Sequence, residues 1–143
     1  MMSLTGRCLC RQIRYSPTPP STQLDLCHCK NCQRHSGTAF LNFLAVPLAS
    51  LSIDGTPREY QDKGPISGNV VRRHFCECWG SPLHVVVESA ANTADVTEST
   101  LDDTPGLKPK GHGWVDSRQP LGRLGGGIPI HDEDPGLTDT VPG

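Results

Sequence analysis

Residues 27–37 read Cys27-His28-Cys29-Lys30-Asn31-Cys32-Gln33-Arg34-His35-Ser36-Gly37, and three cysteines fall there in a C-x-C-x-x-C spacing. Thiolates that close in sequence can converge on one soft metal ion, and zinc is the usual occupant of such a set. Three protein ligands leave one position of a tetrahedron open, which separates a catalytic zinc from a structural one. The other four cysteines form two pairs, Cys8 with Cys10 upstream and Cys76 with Cys78 downstream. Two such pairs from distant segments can close a four-thiolate structural site, and the two sites together use all seven cysteines.

Disulfides are the competing assignment. Seven is an odd count, and the N-terminal MMSLTGRCLC lacks the apolar run of a secretory signal. Outside an oxidising compartment, clustered cysteines are more often metal ligands or catalytic groups than bridges. A redox pair at Cys29 and Cys32 would sit after a strand in a βαβ setting, which the flanking sequence does not suggest. The expectation is a cytoplasmic, reduced protein with two zinc ions per chain.

Composition sets the architecture. Hydrophobic residues make up 35% of the 143 residues, beside 15 Gly and 13 Pro. That mixture argues against a helix bundle and for a single, mainly β domain of short strands joined by turns. A formal net charge of −2, with no run of Lys or Arg longer than two, gives nucleic-acid binding little support. The longest apolar stretches, such as residues 43–48, are too short to span a bilayer. The domain is expected over residues 1–130, with a mobile acidic tail over residues 131–143.

Strands are predicted at residues 12–15, 24–27, 38–46, 51–53, 58–60, 70–75, 83–87 and 94–100. Cys8 and Cys10, two apart on an extended segment, would face one ion together. Residues 70–75 and 83–87 make a hairpin whose turn carries Cys76 and Cys78. Residues 30–35 form one helical turn ended by Gly37. The proline-rich stretch 16–22 reads as a surface connection, and the segment holding His112, Trp114 and Arg118 reads as irregular. Phe40 and Phe43 are assigned to the core.

Lys30, Arg34 and His35 place positive charge near the loop thiolates and favour their deprotonated form. His28 is a competing zinc ligand by type, but between Cys27 and Cys29 on an extended segment it should face away. His28, His35 and His112 are the candidate acid–base residues.

The pieces Gly6-Arg7-Cys8-Leu9-Cys10, Ile13-Arg14-Tyr15, Cys27 through Arg34, Arg73-His74-Phe75-Cys76 and Gly80-Ser81-Pro82-Leu83 occur in a specific order and spacing. With weaker matches at Thr100-Leu101-Asp102-Asp103, Pro109 and His112, the chain resembles the glutathione-dependent formaldehyde-activating enzyme family over residues 5–118. The family is also called the centromere protein V type. The resemblance implies an antiparallel β-tent fold. It implies a structural zinc on Cys8, Cys10 and the downstream pair Cys76 and Cys78, and a catalytic zinc on Cys27, Cys29 and Cys32. The implied reaction joins the thiol of glutathione to formaldehyde, a carbon–sulfur lyase reaction run in reverse. The implied partners are a small thiol such as glutathione and a small electrophile such as formaldehyde. Arg11, Arg14, Arg72 and Arg73 could bind the carboxylates of glutathione.

Two departures stand out. Arg11 follows the first C-x-C where the family usually has glycine, and Trp79 stands where the family's second downstream cysteine is expected, Cys78 coming one place early. A one-residue shift on a strand would turn the side chain to the opposite face, whereas a turn can absorb it. Two rival readings follow: an enzyme of the same fold acting on another thiol adduct in a biosynthetic pathway, or a non-catalytic zinc module whose second site is closed by a ligand such as His28.

Overall fold

The computed structural model describes residues 4–120; the tail expected over residues 131–143 lies outside them. In chain order the elements are β1 (Gly6–Arg7), β2 (Arg14–Ser16), β3 (Gln23–Cys27), α1 (Lys30–Ser36), β4 (Leu41–Pro47), β5 (Ser52–Asp54), β6 (Arg58–Lys63), β7 (Val70–Phe75), β8 (Pro82–Val87), β9 (Thr93–Thr97) and β10 (Lys108–Gly113). The mainly β expectation holds. One sheet has three strands in the order β1-β2-β5, and the other has seven in the order β10-β3-β4-β9-β8-β7-β6. Every pairing is antiparallel except that of β10 with β3.

Side-chain alternation gives the large sheet two different faces. On β3, Leu24 and Leu26 are buried while Asp25 points the other way. Leu24, Leu26, Leu44, Val46, Ala94 and Val96 pack on one side, together with Ile13 and Tyr15 from the small sheet's side. Leu44 and Val96 lose all contact with solvent, and each buried side chain of this size contributes about 1.5–3 kcal/mol. On the other side Leu41, Phe43, Val71 and Val85 gather around Cys32. Gly6 has no room for a side chain, because a Cβ there would overlap the ring of Tyr15.

Three local expectations are corrected. The segment at His112 is not irregular: β10 runs parallel to β3 and sets His112 beside Leu26 and Gly113 beside Cys27. Its sequence KPKGHG lacks apolar alternation because it is an edge strand with mostly exposed side chains, where Pro109 costs little. The proline-rich stretch is not a bare surface connection, since Pro17 and Pro19 are fully buried. Cys8 and Cys10 lie in a tight turn rather than on a strand: the Arg11 N–H donates to the Cys8 carbonyl at 3.1 Å, and Arg11 takes φ 68°. That is the left-handed region that glycine enters freely and a β-carbon resists.

Candidate functional site

β3 ends at Cys27 and delivers the loop. Cys29 is the N-cap of α1, with φ −64° and ψ 152°, and its Sγ accepts the Cys32 N–H at 3.3 Å. Gly37 ends the helix at φ 71°, donating its N–H to the Gln33 carbonyl at 2.8 Å. This tight cap-to-cap geometry brings the sulfurs of Cys27, Cys29 and Cys32 within 4.8 Å of one another. A shared hydrogen bond with Cys27, then burial, pushes the Cys32 thiol far up; burial first pushes Cys29 up as well. Cys29 and Cys32, crowded against Cys27 and resisting ionisation alone, are what a bound cation would relieve.

The second cluster draws on segments far apart in sequence. Cys8 Sγ lies 3.4 Å from Cys10 Sγ, which lies 3.5 Å from Cys76 Sγ. Those separations are much longer than the roughly 2.05 Å of a disulfide and close to the roughly 3.8 Å edge of a zinc–thiolate tetrahedron. Cys8 also accepts the Ile13 N–H at 3.2 Å. Burial pushes the Cys8 thiol up, yet that N–H and the neighbouring sulfurs outweigh it and leave it below its ordinary value. Cys8 and Cys76 are 0% and 1% exposed and Cys10 is half-buried, so the cluster is largely closed to solvent. Both donor sets therefore fit zinc.

Cys78 is not brought to this cluster. It is exposed on the turn after β7, where the Gly80 N–H donates to the Cys76 carbonyl at 2.6 Å and Gly80 takes φ 80°. Trp79 is exposed beside it.

The loop cluster opens on a cavity of about 620 Å³ over the second face of the large sheet. Phe43, Val71, Val85 and Val87 form an apolar floor, so Phe43 serves both core and cavity. Asp25, Asp95, Lys30, Lys110, His112 and Arg73 are among its polar groups. Lys110 Nζ stands 3.9 Å from Asp25 Oδ1. Burial, then the Asp25 carboxylate, pushes Asp95 up to about 6.

Of the three candidate histidines, only His112 lines this cavity. His28 is 0% exposed, is not gathered with the three loop sulfurs, and pairs its Nε2 with His112 Nδ1 at 2.8 Å. Burial, then His112 and Arg118, holds His28 low. His35 is held at about 4 by burial and then by Arg73, and it lines a neighbouring recess with Arg34 and Tyr60.

The arginines divide similarly. Arg11 and Arg14 belong to the small sheet's side of the molecule, and Arg72 stands 3.9 Å from Glu59. Arg73 alone among the four lines the cavity, but its Nε donates to Asp62 Oδ1 at 2.7 Å and its Nη1 reaches Cys32 Sγ at 3.9 Å. Charge at the thiolates thus comes from Arg73, on β7, more directly than from the helix residues Lys30, Arg34 and His35. Asp62 was not singled out in the sequence. It lies in the charged strand REYQDK, where nothing marks one carboxylate from another. Gln33 was also missed; its Nε2 donates to the His28 carbonyl at 2.6 Å and to the Ser117 carbonyl at 2.9 Å, tying α1 to the chain after β10.

A mainly β domain with two three-cysteine clusters, one largely closed to solvent and one open on a cavity, defines a cysteine-rich metal-site class. The family model described as "Glutathione-dependent formaldehyde-activating enzyme" matches residues 3–117, and the chain belongs to that family. A search of the curated proteins finds no match. Among solved structures, a Rhodobacter sphaeroides protein is similar at a TM-score of 0.58 and 20% identity, over 73% of this chain and 97% of that one. At that identity the likeness speaks for the fold. No helix among the described residues is long and apolar enough to cross a membrane.

Proposed function

We propose that this chain is a zinc-dependent, carbon–sulfur lyase-type enzyme that joins a small thiol such as glutathione to formaldehyde or another small electrophile. The observation that carries the reading is the contrast between the clusters: Cys27, Cys29 and Cys32 line a cavity that none of Cys8, Cys10 and Cys76 reaches, and Cys8 and Cys76 are buried. A zinc ion held by Cys27, Cys29 and Cys32 would supply a Lewis acid and favour the thiolate form of a thiol brought to it. The chain's own residues do the rest. Phe43, Val71 and Val85 keep water from the reacting carbon. His112, oriented by its bond to His28, takes the thiol proton and returns it to the carbonyl oxygen as the sulfur–carbon bond forms. The sum is thiol plus aldehyde giving a hydroxymethyl thioether, with no change in oxidation state. Lys30 and Lys110 are the cations available to substrate carboxylates.

A second reading has its own support. The cavity floor is largely apolar and carries Asp25 and Asp95, an imperfect host for the two carboxylates of glutathione. A less anionic thiol adduct, handled by the same cluster, fits that lining. The test is to mix zinc-loaded protein with formaldehyde and a panel of thiols and follow the hydroxymethyl product by NMR. Faster product formation with glutathione than with uncharged thiols supports the first reading. The reverse order supports the second, and no acceleration with any thiol overturns both in favour of a zinc-stabilised binding module.

A further inference from the structure

We propose that Arg73 is a positioning residue that lets the Cys27–Cys29–Cys32 centre accept an anionic fourth partner; the inference rests on the zinc and thiol reading above. Its side chain is 8% exposed, and a guanidinium buried to that degree stays charged, so it has to be matched. The matching is asymmetric. Nε and Nη2 fork onto Asp62 at 2.7 and 3.3 Å, on the side away from the cluster, while Nη1 faces Cys32 Sγ at 3.9 Å and His35 Nδ1 at 3.1 Å. Asp62 is itself fixed to α1, accepting from Asn31 Nδ2 at 2.9 Å. The pair is a dipole bolted between β6, β7 and the loop, with its positive end on a cluster sulfur.

That orientation has a use. Three thiolates around a divalent cation carry one net negative charge, and a thiolate joining them raises it to two. Repulsion at such distances is strong in a partly dehydrated site. The other nearby cations are differently engaged: Lys30 Nζ donates to Gln33 Oε1 at 3.3 Å, and Lys110 stands near Asp25. Among the described residues, Arg73 is the cation whose donor reaches a sulfur of the loop cluster.

Binding of two small probes to zinc-loaded protein, measured by calorimetry, tests this. 2-Mercaptoethanol binds as an anion and has no carboxylate to confuse the result; imidazole binds as a neutral ligand. Arg73→Gln should weaken 2-mercaptoethanol roughly tenfold or more and leave imidazole unchanged, with Arg73→Lys restoring much of the loss. Asp62→Asn, which removes the negative end of the dipole, should not weaken 2-mercaptoethanol. A purely structural pair would make Asp62→Asn and Arg73→Gln fail alike, for both probes, and that outcome overturns the proposal. So does an Arg73→Gln protein that binds 2-mercaptoethanol as tightly as wild type, which leaves the proposed reaction standing. Wild-type protein that binds imidazole but no thiol removes both. If Arg73→Gln does not fold, the Arg73→Lys and Asp62→Asn affinities decide, since a weakened Asp62→Asn contradicts the charge argument alone.

Discussion

The two cysteine clusters use the same three-sulfur chemistry in opposite ways. Cys8, Cys10 and Cys76 come from turns 66 residues apart in the Cys10–Cys76 contact, and their cluster joins the small sheet's side of the molecule to the β7–β8 hairpin. Cys27, Cys29 and Cys32 come from one loop, touch few distant segments through their own sulfurs, and face a cavity. Long-range closure makes a site part of the fold, because its metal restrains segments the unfolded chain would let apart. Local closure leaves a site dispensable to folding and free for chemistry.

The sharpest way to break that contrast is to remove one sulfur from each side. Cys76→Ser should lose zinc and several kcal/mol of stability, given that zinc ligation supplies on the order of 10 kcal/mol in small metal domains. Metal analysis and thermal melts check this, and an unshifted melt would show that the long-range cluster is not structural. Cys29→Ala should lose turnover and one zinc per chain while melting near wild type; collapse of the fold would erase the distinction between the sites.

A smaller effect separates cavity from core. Asp95 is raised to about 6 by burial and by Asp25. The sign follows from linkage: its contribution is fully present below its unfolded value near pH 4 and is lost as pH rises through about 6. Asp95→Asn should therefore gain roughly 1–3 kcal/mol at pH 7 to 8 and flatten the stability profile between pH 4 and 6. Denaturant melts across that range decide it, and an unchanged profile means the carboxylate is solvated.

The gentlest tests concern the long-range cluster's two departures from family pattern. Arg11→Gly should gain about 0.5–1 kcal/mol by relieving a left-handed β-carbon, read as a small rise in melting temperature with metal content unchanged. Cys78→Ser should be close to silent in both measurements, since the thiol is exposed and apart from the other three.

These departures also show how far the sequence could be read. The loop cluster was legible because its ligands, its helical turn and the stop at Gly37 are all local. Strands β3, β4, β7 and β8 were legible from apolar patterning. Arg11 was visible as an oddity, but only its φ of 68° explains why glycine suits that place. Cys78 could not be settled, since the outcome depends on how a turn spends one residue. Asp62, Asp95 and β10 were illegible because their importance comes from cross-sheet neighbours; for Asp62 and β10, moreover, a charged strand or an exposed edge strand carries no periodic signal of its own.

That edge strand has a consequence in time. His112 meets His28 across 84 residues of chain, through a parallel pairing at the rim of the sheet. Contacts of such long sequence separation form late in folding, after loop closure has been offset by other contacts. An edge strand held on one side is also among the first segments to open in the native state. The wall of the cavity that carries His112 is thus expected to dock late and to exchange early. Amide hydrogens of residue 108 and residues 110–113 should exchange faster than those of β4 or β9, and a ligand that spans from the loop cluster to His112 should slow them.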